Sequence, residues 1–385
     1  MKKILKNSAV QTLLTSAICI LAGMFIGYLV LLMIEPSGAG EAILAVAKNF
    51  LGYSRTNIQM KHLGTTLVKT APLIMCSLSV LFSYKVGLFN IGAAGQYVVG
   101  ACASLYGALV LGLGWLPCMI LAAAVAAVWG AITGLLKAYF NVNEVISGIM
   151  LNWIGLYITN MILSGAKDPS SAYTYTLKAK GKLAILPSMG LEEIFSSNKY
   201  VGIAIPLAVV FAIIVWVVME KTKFGYELKA TGNNKNAAKY CGMAEKRNII
   251  VSLAISGALA GLGASFLYLT DIEQWQVTIS SVPGMGFNGI AAAFLGGLSP
   301  IGTIFASFFI QHISDGGSHV DLSIYCSQIS DLIAAIIIYL CGFVGFLKMA
   351  MNTALAKSDE KKGMANANAE PEKVEKTLNK EGGNK

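Results

Sequence analysis

Three stretches of this chain place polar side chains in an apolar background. GLFNIGAAGQYVVGA (87–101) carries Asn90 and Gln96 among glycines. NVNEVISGIMLNWIGLYITN (141–160) carries Glu144, Asn152 and Trp153. GMGFNGIAAAFLGGLSPIG (284–302) carries Phe287, Asn288 and a Gly-Gly-Leu-Ser-Pro break. Uncharged amides inside apolar helices need hydrogen-bond partners, so they turn toward a bundle interior. A single amide of this kind commonly bridges two helices. Three such groups beside aromatic faces are also what the passage of a polar, uncharged solute requires. Phe89, Asn90, Gln96, Asn152, Trp153, Phe287 and Asn288 are therefore the candidates for lining a solute path. Trp153 is open to two readings: stacking on a flat solute, as aromatic faces do in nucleic-acid binders, or packing toward lipid.

Reactive chemistry is scarce. Ser314, Asp315, Ser318, His319 and Asp321 lie close together in sequence, but their spacing fits neither HExxH nor GxSxG. His62 and His312 stand alone and read as packing or interfacial residues. No GxxxxGK[ST] loop occurs, so the chain has no phosphate cradle of its own and any ATP hydrolysis must come from another protein. No catalytic residue, metal site or cofactor is expected.

The elements that position these groups follow from composition. Of 385 residues, 55% are apolar and 13% charged, against about 45–50% and about 25% in a typical soluble domain. Mean hydropathy is +0.65. The last 30 residues, 356–385, hold 13 of the 49 charged residues. What remains is too little charge to solvate a globular surface. A soluble enzyme, a nucleic-acid binder and a secreted disulfide scaffold are all disfavoured, and the seven cysteines form no CxxC. The chain reads as an all-α polytopic membrane protein.

Apolar runs of helical length fall near 9–34, 63–83, 87–111, 115–138, 143–163, 200–219, 248–269, 284–298, 300–314 and 326–347. That makes about ten transmembrane helices, two of them short. The first run is too long for a secretory signal core. With both termini cytoplasmic, the inner segments carry 20 of the 29 basic residues, as the positive-inside rule requires. The chain then divides into a cytoplasmic N-terminus (1–8), a transmembrane domain (9–347) with a cytoplasmic loop over 220–247, and a polar tail (348–385) expected to be disordered. Residues 40–53 suggest a short amphipathic helix on the outer surface, and 164–199 a long outer loop. Lys69 falls inside a span. Phe-Asn flanked by glycine recurs at 89–90 and 287–288, each time before a small-residue helix. By the orientation above, one enters from inside and one from outside, the pattern of inverted repeats with broken helices.

The 220–247 loop has its own signals. Asn233 or Asn234 can cap a short helix, NKNAAKYC can form it and Gly242 can end it. Such a helix is either a basic surface near lipid headgroups or a docking element for a cytoplasmic partner. The run TKFGYELKATGNNKNAAKYCGM (222–243) resembles the coupling-helix region of bacterial ABC-importer permeases of the ribose, nucleoside and branched-chain amino-acid family. GLFNIGAAGQ, NEVISGIMLNWI and GFNGIAAAFLGGLSPIG resemble further signature stretches, in the family's order. The likeness spans about residues 60–350 and is nearest to the nucleoside branch, which works with a basic-membrane-protein-type binding lipoprotein.

The resemblance implies a cobalamin-importer-like permease of about ten helices in a bacterial cell membrane. It implies that Gly232, Asn233, Asn234, Ala237, Ala238 and Gly242 couple to a separate ATP-binding subunit. A second, related permease chain and an extracytoplasmic binding lipoprotein complete the expected partners. The chain itself would be no enzyme. A ribose-like solute, or an ion-coupled transporter without an ATPase, are the alternatives. Sparse intramembrane carboxylates weigh against ion coupling.

Overall fold

The computed structural model describes residues 8–353, apart from 322, 327–328, 344–345 and 348. Most of the expected N-terminal segment and the tail from 354 onward lie outside the described residues. Among the described residues, the helices that organise the fold are α1 Ser8–Ile34, α2 Ala39–Lys48, α3 Thr56–Tyr84, α4 Ala93–Leu109, α5 Trp115–Phe140, α6 Glu144–Leu163, α7 Ala204–Lys221, α8 Lys223–Asn233, α9 Lys235–Tyr240, α10 Glu245–Tyr268, α11 Met285–Leu295, α12 Pro300–Gly316 and α13 Ile329–Cys341. The described residues contain no β-strand. Two isolated bridges, Lys167 with Thr174 and Tyr173 with Gln276, tie two loops together.

Among the described residues, six helices are long and apolar enough to cross a membrane: those at 17–34, 56–84, 115–140, 144–166, 204–221 and 245–268. The chain is thus a multi-pass membrane protein. The others are shorter. The apolar run at 87–111 is not one helix, because its first six residues form an irregular turn before α4 begins. Helix α11 stops after eleven residues. Gly297 and Leu298 then adopt positive φ values of 64° and 53°. Ser299 caps α12 through Gly302, with Pro300 in its first turn, where the missing proline amide costs no hydrogen bond.

Burial sorts the helices. Every residue of α3 from Thr70 to Ser83 is buried, and so is α4 except for Tyr106. Helix α10 packs along α5, α3 and α4. Its contact with α5 is a ladder of small residues: Gly257 and Gly261 meet Ala122 and Ala126, while Gly130 meets Leu253. Without a hydrophobic drive between helices in lipid, such close backbone approach supplies the packing. By contrast α1, α5, α6 and α7 keep large apolar side chains exposed, among them Leu21, Ile120, Met161 and Ile214. Such faces suit hydrocarbon or a partner helix rather than water.

The bundle has two ends. Helices α8 and α9 mark one, and the 164–199 loop marks the other. The expected surface helix near 40–53 is α2, followed by a tight turn. It buries Ala39, Ala42 and Val46 against α12 and its neighbours.

Candidate functional site

Asn90, Gln96 and Asn152 are brought together and are almost fully buried, at 2%, 1% and 2% exposure. Asn90 Nδ2 donates to Gln96 Oε1 at 3.0 Å, and Gln96 Nε2 donates to Asn90 Oδ1 at 3.3 Å. Asn152 Oδ1 accepts from the Gly95 amide at 2.7 Å, and its Nδ2 donates to the Ile91 carbonyl at 3.1 Å. The amides therefore stitch the irregular 87–92 turn and the start of α4 to α6. A broken helix leaves backbone groups unpaired, and in a membrane these must be satisfied by protein. Gly148 lets α6 reach the turn: a Cβ there would stand 3.2 Å from the Gly92 Cα.

The aromatic candidates lie differently. Phe89 is half-buried beside Phe294 at 6.3 Å between ring centroids, and Phe294 in turn meets Tyr84 at 5.3 Å. Phe287 is exposed, and Asn288 is half-buried with no side-chain hydrogen bond among the described residues. The two Phe-Asn pairs are not joined ring to ring. Instead Gly286 backs onto Ala94, so α11 rests on the first turn of α4. Trp153 is exposed and stacks on Tyr157, one turn along α6, at 6.4 Å and 26°.

At the other candidate region the caps are as expected. Asn234 Oδ1 accepts from the Ala237 amide at 3.0 Å and starts α9. Gly242 follows the helix with φ +79°. Ala238 is buried, whereas Asn233, Ala237 and Tyr240 are exposed. Helix α8 precedes them and was not expected. Its signal was in the sequence: the Thr222 hydroxyl accepts from the Gly225 amide at 3.1 Å as an N-cap. Thr231 accepts from Asn248 Nδ2 at 2.9 Å, which fastens α8 to α10.

Gly232, near the end of α8, lies directly against the backbone of Lys85, Val86 and Gly87. This contact borders a cleft of about 520 Å³ lined by Tyr84, Lys85, Gly87, Leu88, Phe89, Glu144, Lys229, Gly232, Asn233 and Leu298. Glu144 opens α6 behind the Asn143 cap and pairs with Lys137 at 2.8 Å. The loop helices and the irregular turn that carries Phe89 and Asn90 thus share one wall.

Residues 62–342 match the family described as the branched-chain amino acid transport system permease component. The chain belongs to this family. It is a permease subunit, a translocating chain rather than an enzyme. It is 35% identical to the guanosine ABC transporter permease protein NupP of Bacillus subtilis, covering 85% of this chain and 92% of that one. It is 30% identical to the nucleoside ABC transporter permease protein NupB of Lactococcus lactis, covering 93% and 99%. It is 33% identical to the glucose ABC transporter permease protein TsgB13 of Haloferax volcanii, covering 68% and 70%. No solved structure matches the chain.

Sequence reasoning passed over one pairing at the far end. Lys69, inside α3, binds Asp315, near the end of α12, at 3.2 Å. The two residues are 246 positions apart, so spacing carries no hint of it. His62 is stacked on Tyr53 at 4.3 Å, and His312 packs edge-on to Phe50 at 5.4 Å.

Proposed function

We propose that this chain is the translocation subunit of a binding-protein-dependent importer of nucleosides. In this reading α8 and α9 lie in the cytoplasm with both termini, and the 164–199 loop lies outside. Ten segments then traverse the bilayer, α11 as a half-length one, in a cobalamin-importer-like arrangement. A cytoplasmic ATP-binding subunit docks on the exposed face of α9. A related but different permease chain pairs with this one, and an extracytoplasmic lipoprotein delivers the solute.

The observation that carries the importer reading is the backbone contact between Gly232 and the Lys85–Gly87 turn. It joins the loop that would bind the ATPase to the turn that bears Phe89. Motion imposed on α8 and α9 reaches that turn without a soft side chain between them. The solute class rests on the guanosine and nucleoside relatives.

Phe89, Trp153, Phe287 and Asn288 face the path in this reading, since their side chains are open or lack polar partners. Asn90, Gln96 and Asn152 form the wall behind them. A second reading, a monosaccharide permease, is favoured by the glucose-permease relative.

The test of coupling replaces 233–242 by a Gly-Ser linker. Loss of association with the ATP-binding subunit and loss of uptake is the expected result. Unchanged assembly and transport would overturn the assignment.

A further inference from the structure

The chain has three histidines, and all three close on one turn, residues 49–53, where the chain leaves α2 for α3. His312, near the end of α12, holds the start of the turn. Its Nε2 lies 2.9 Å from the Ala47 carbonyl oxygen, and its Nδ1 lies 3.3 Å from Asn49 Nδ2. A carbonyl only accepts, so Nε2 donates. Asn49 Nδ2 only donates, so Nδ1 accepts. Asn49 Nδ2 also donates to the His312 carbonyl at 3.0 Å. His62 and His319 hold the end of the turn. His62 stacks on the Tyr53 ring at 4.3 Å between centroids, and His319 Nε2 meets the Tyr53 hydroxyl at 2.9 Å. The two imidazoles lie 5.8 Å apart, centroid to centroid. Gly316 backs onto Val46, so α2 and α12 touch through their backbones beside the turn.

These contacts suit neutral imidazoles. A second proton on His312 would set Nδ1–H against the Asn49 amide hydrogens, donor against donor. A proton on each of His62 and His319 would gather two like charges around one tyrosine. The other titratable and charged groups about the turn are Tyr53 within it, Lys48 at the end of α2, Lys61 and Lys69 on α3, and Asp315 on α12. Among the described residues, the one carboxylate that acts on His62 is Asp315. It is already held by Lys69 at 3.2 Å and by Gln311 Nε2 at 3.1 Å. Lys61 adds a further positive charge beside His62. All three rings are half-buried, so water and protons reach them.

We infer that the three histidines form an acid-released clasp that fastens the end of α2 and the turn after it to α3 and α12. Asn198, in the 164–199 loop, donates to the Lys61 carbonyl at 2.8 Å, so the clasp lies at that loop's end of the bundle. Its place outside the cell rests on the orientation proposed above, and the pH it senses is then that of the external medium. Above the ordinary histidine range, about pH 6.5, the rings are neutral and the clasp is closed. Protonation breaks contacts that only the closed turn makes, so falling pH draws it open. What is released is the anchored end of α12, the helix that begins at the Gly-Gly-Leu-Ser-Pro break.

The test is amide hydrogen exchange of the purified full-length chain in detergent at about pH 7.5 and about pH 5.5, corrected for the intrinsic effect of pH on exchange. Segment 43–53 is compared with the middle of α10, which packs among α3, α4 and α5. Protection of 43–53 should fall at least about tenfold in acid, the scale of one hydrogen bond replaced by donor against donor, while α10 changes by less than about twofold. A variant combining His62→Phe, His312→Gln and His319→Gln keeps an aromatic stack on Tyr53 and a donor for Ala47 but takes up no proton. Its 43–53 segment should be equally protected at both pH values. Equal protection of 43–53 in the wild type overturns the clasp and requires no variant to fold. An acid loss as large in the variant as in the wild type overturns it too, as does a loss that spreads to α10. No solute enters the measurement, so the clasp and the nucleoside reading stand or fall separately.

Discussion

Gly232 and Gly87 touch through their backbones: a Cβ added to Gly232 would stand 2.9 Å from the Gly87 amide nitrogen and 2.6 Å from the Lys85 carbonyl oxygen. Neither neighbour is a flexible side chain that can swing aside. The α8–α9 loop and the turn before α4 therefore move as one piece or separate altogether.

Gly232→Ala should wedge this joint open. Overpacking of a tight contact costs about 1–3 kcal/mol, too little to unfold the bundle. The expected outcome is an uptake rate at least about tenfold lower, with the ATP-binding subunit still bound, because the docking face of α9 is untouched. Co-purification and uptake measured on the same membranes check this. Normal uptake would show that the contact transmits nothing.

Asn234→Ala removes the cap that starts α9. Loss of such a cap costs about 1 kcal/mol, and α9 has only six residues. We expect the affinity for the ATP-binding subunit to fall about five- to tenfold, with the thermal stability of the transmembrane part unchanged. Asn234→Asp, which keeps the acceptor oxygen, should restore most of it.

Asn152→Ala acts elsewhere. It leaves the Gly95 amide and the Ile91 carbonyl without the partners they have now. Each buried group left unsatisfied costs about 1–3 kcal/mol. The melting temperature should drop while the preference among solutes stays the same. A changed solute preference at normal stability would place Asn152 in the path itself.

Much of the local structure around the candidate site was legible, for specific reasons. The Asn234 cap and the Gly242 stop are local chemistry, and both are where the sequence puts them. The Gly-Gly-Leu-Ser-Pro break is local too, since positive φ and an N1 proline leave few other outcomes. The run at 87–111 was misleading because hydropathy cannot tell a buried irregular turn from a helix. What pays the turn's backbone groups is Asn152, 61 residues from Ile91. The Lys69–Asp315 pair was hidden for the same reason: it exists only once α3 and α12 are side by side.

Lys69 and Asp315 allow a cycle of substitutions. Lys69→Met alone strands a carboxylate inside the bundle, and breaking a buried pair is strongly destabilising. The pair is partly open, at 29% and 14% exposure, so the loss should fall below the several kcal/mol of a fully buried pair. Adding Asp315→Asn should recover part of it. Thermal unfolding in detergent of the wild type, both single variants and the double variant measures the coupling. Strictly additive losses would mean that the two groups do not depend on each other.

The central claim is import of nucleosides, and uptake in living cells tests it most directly. Radiolabelled guanosine, adenosine, uridine, ribose and glucose would be offered to cells with and without this gene. The account predicts that nucleoside uptake alone is lost when the gene is removed and returns when it is restored. Loss of ribose or glucose uptake alone, with nucleoside rates intact, would contradict it and assign the permease to sugars.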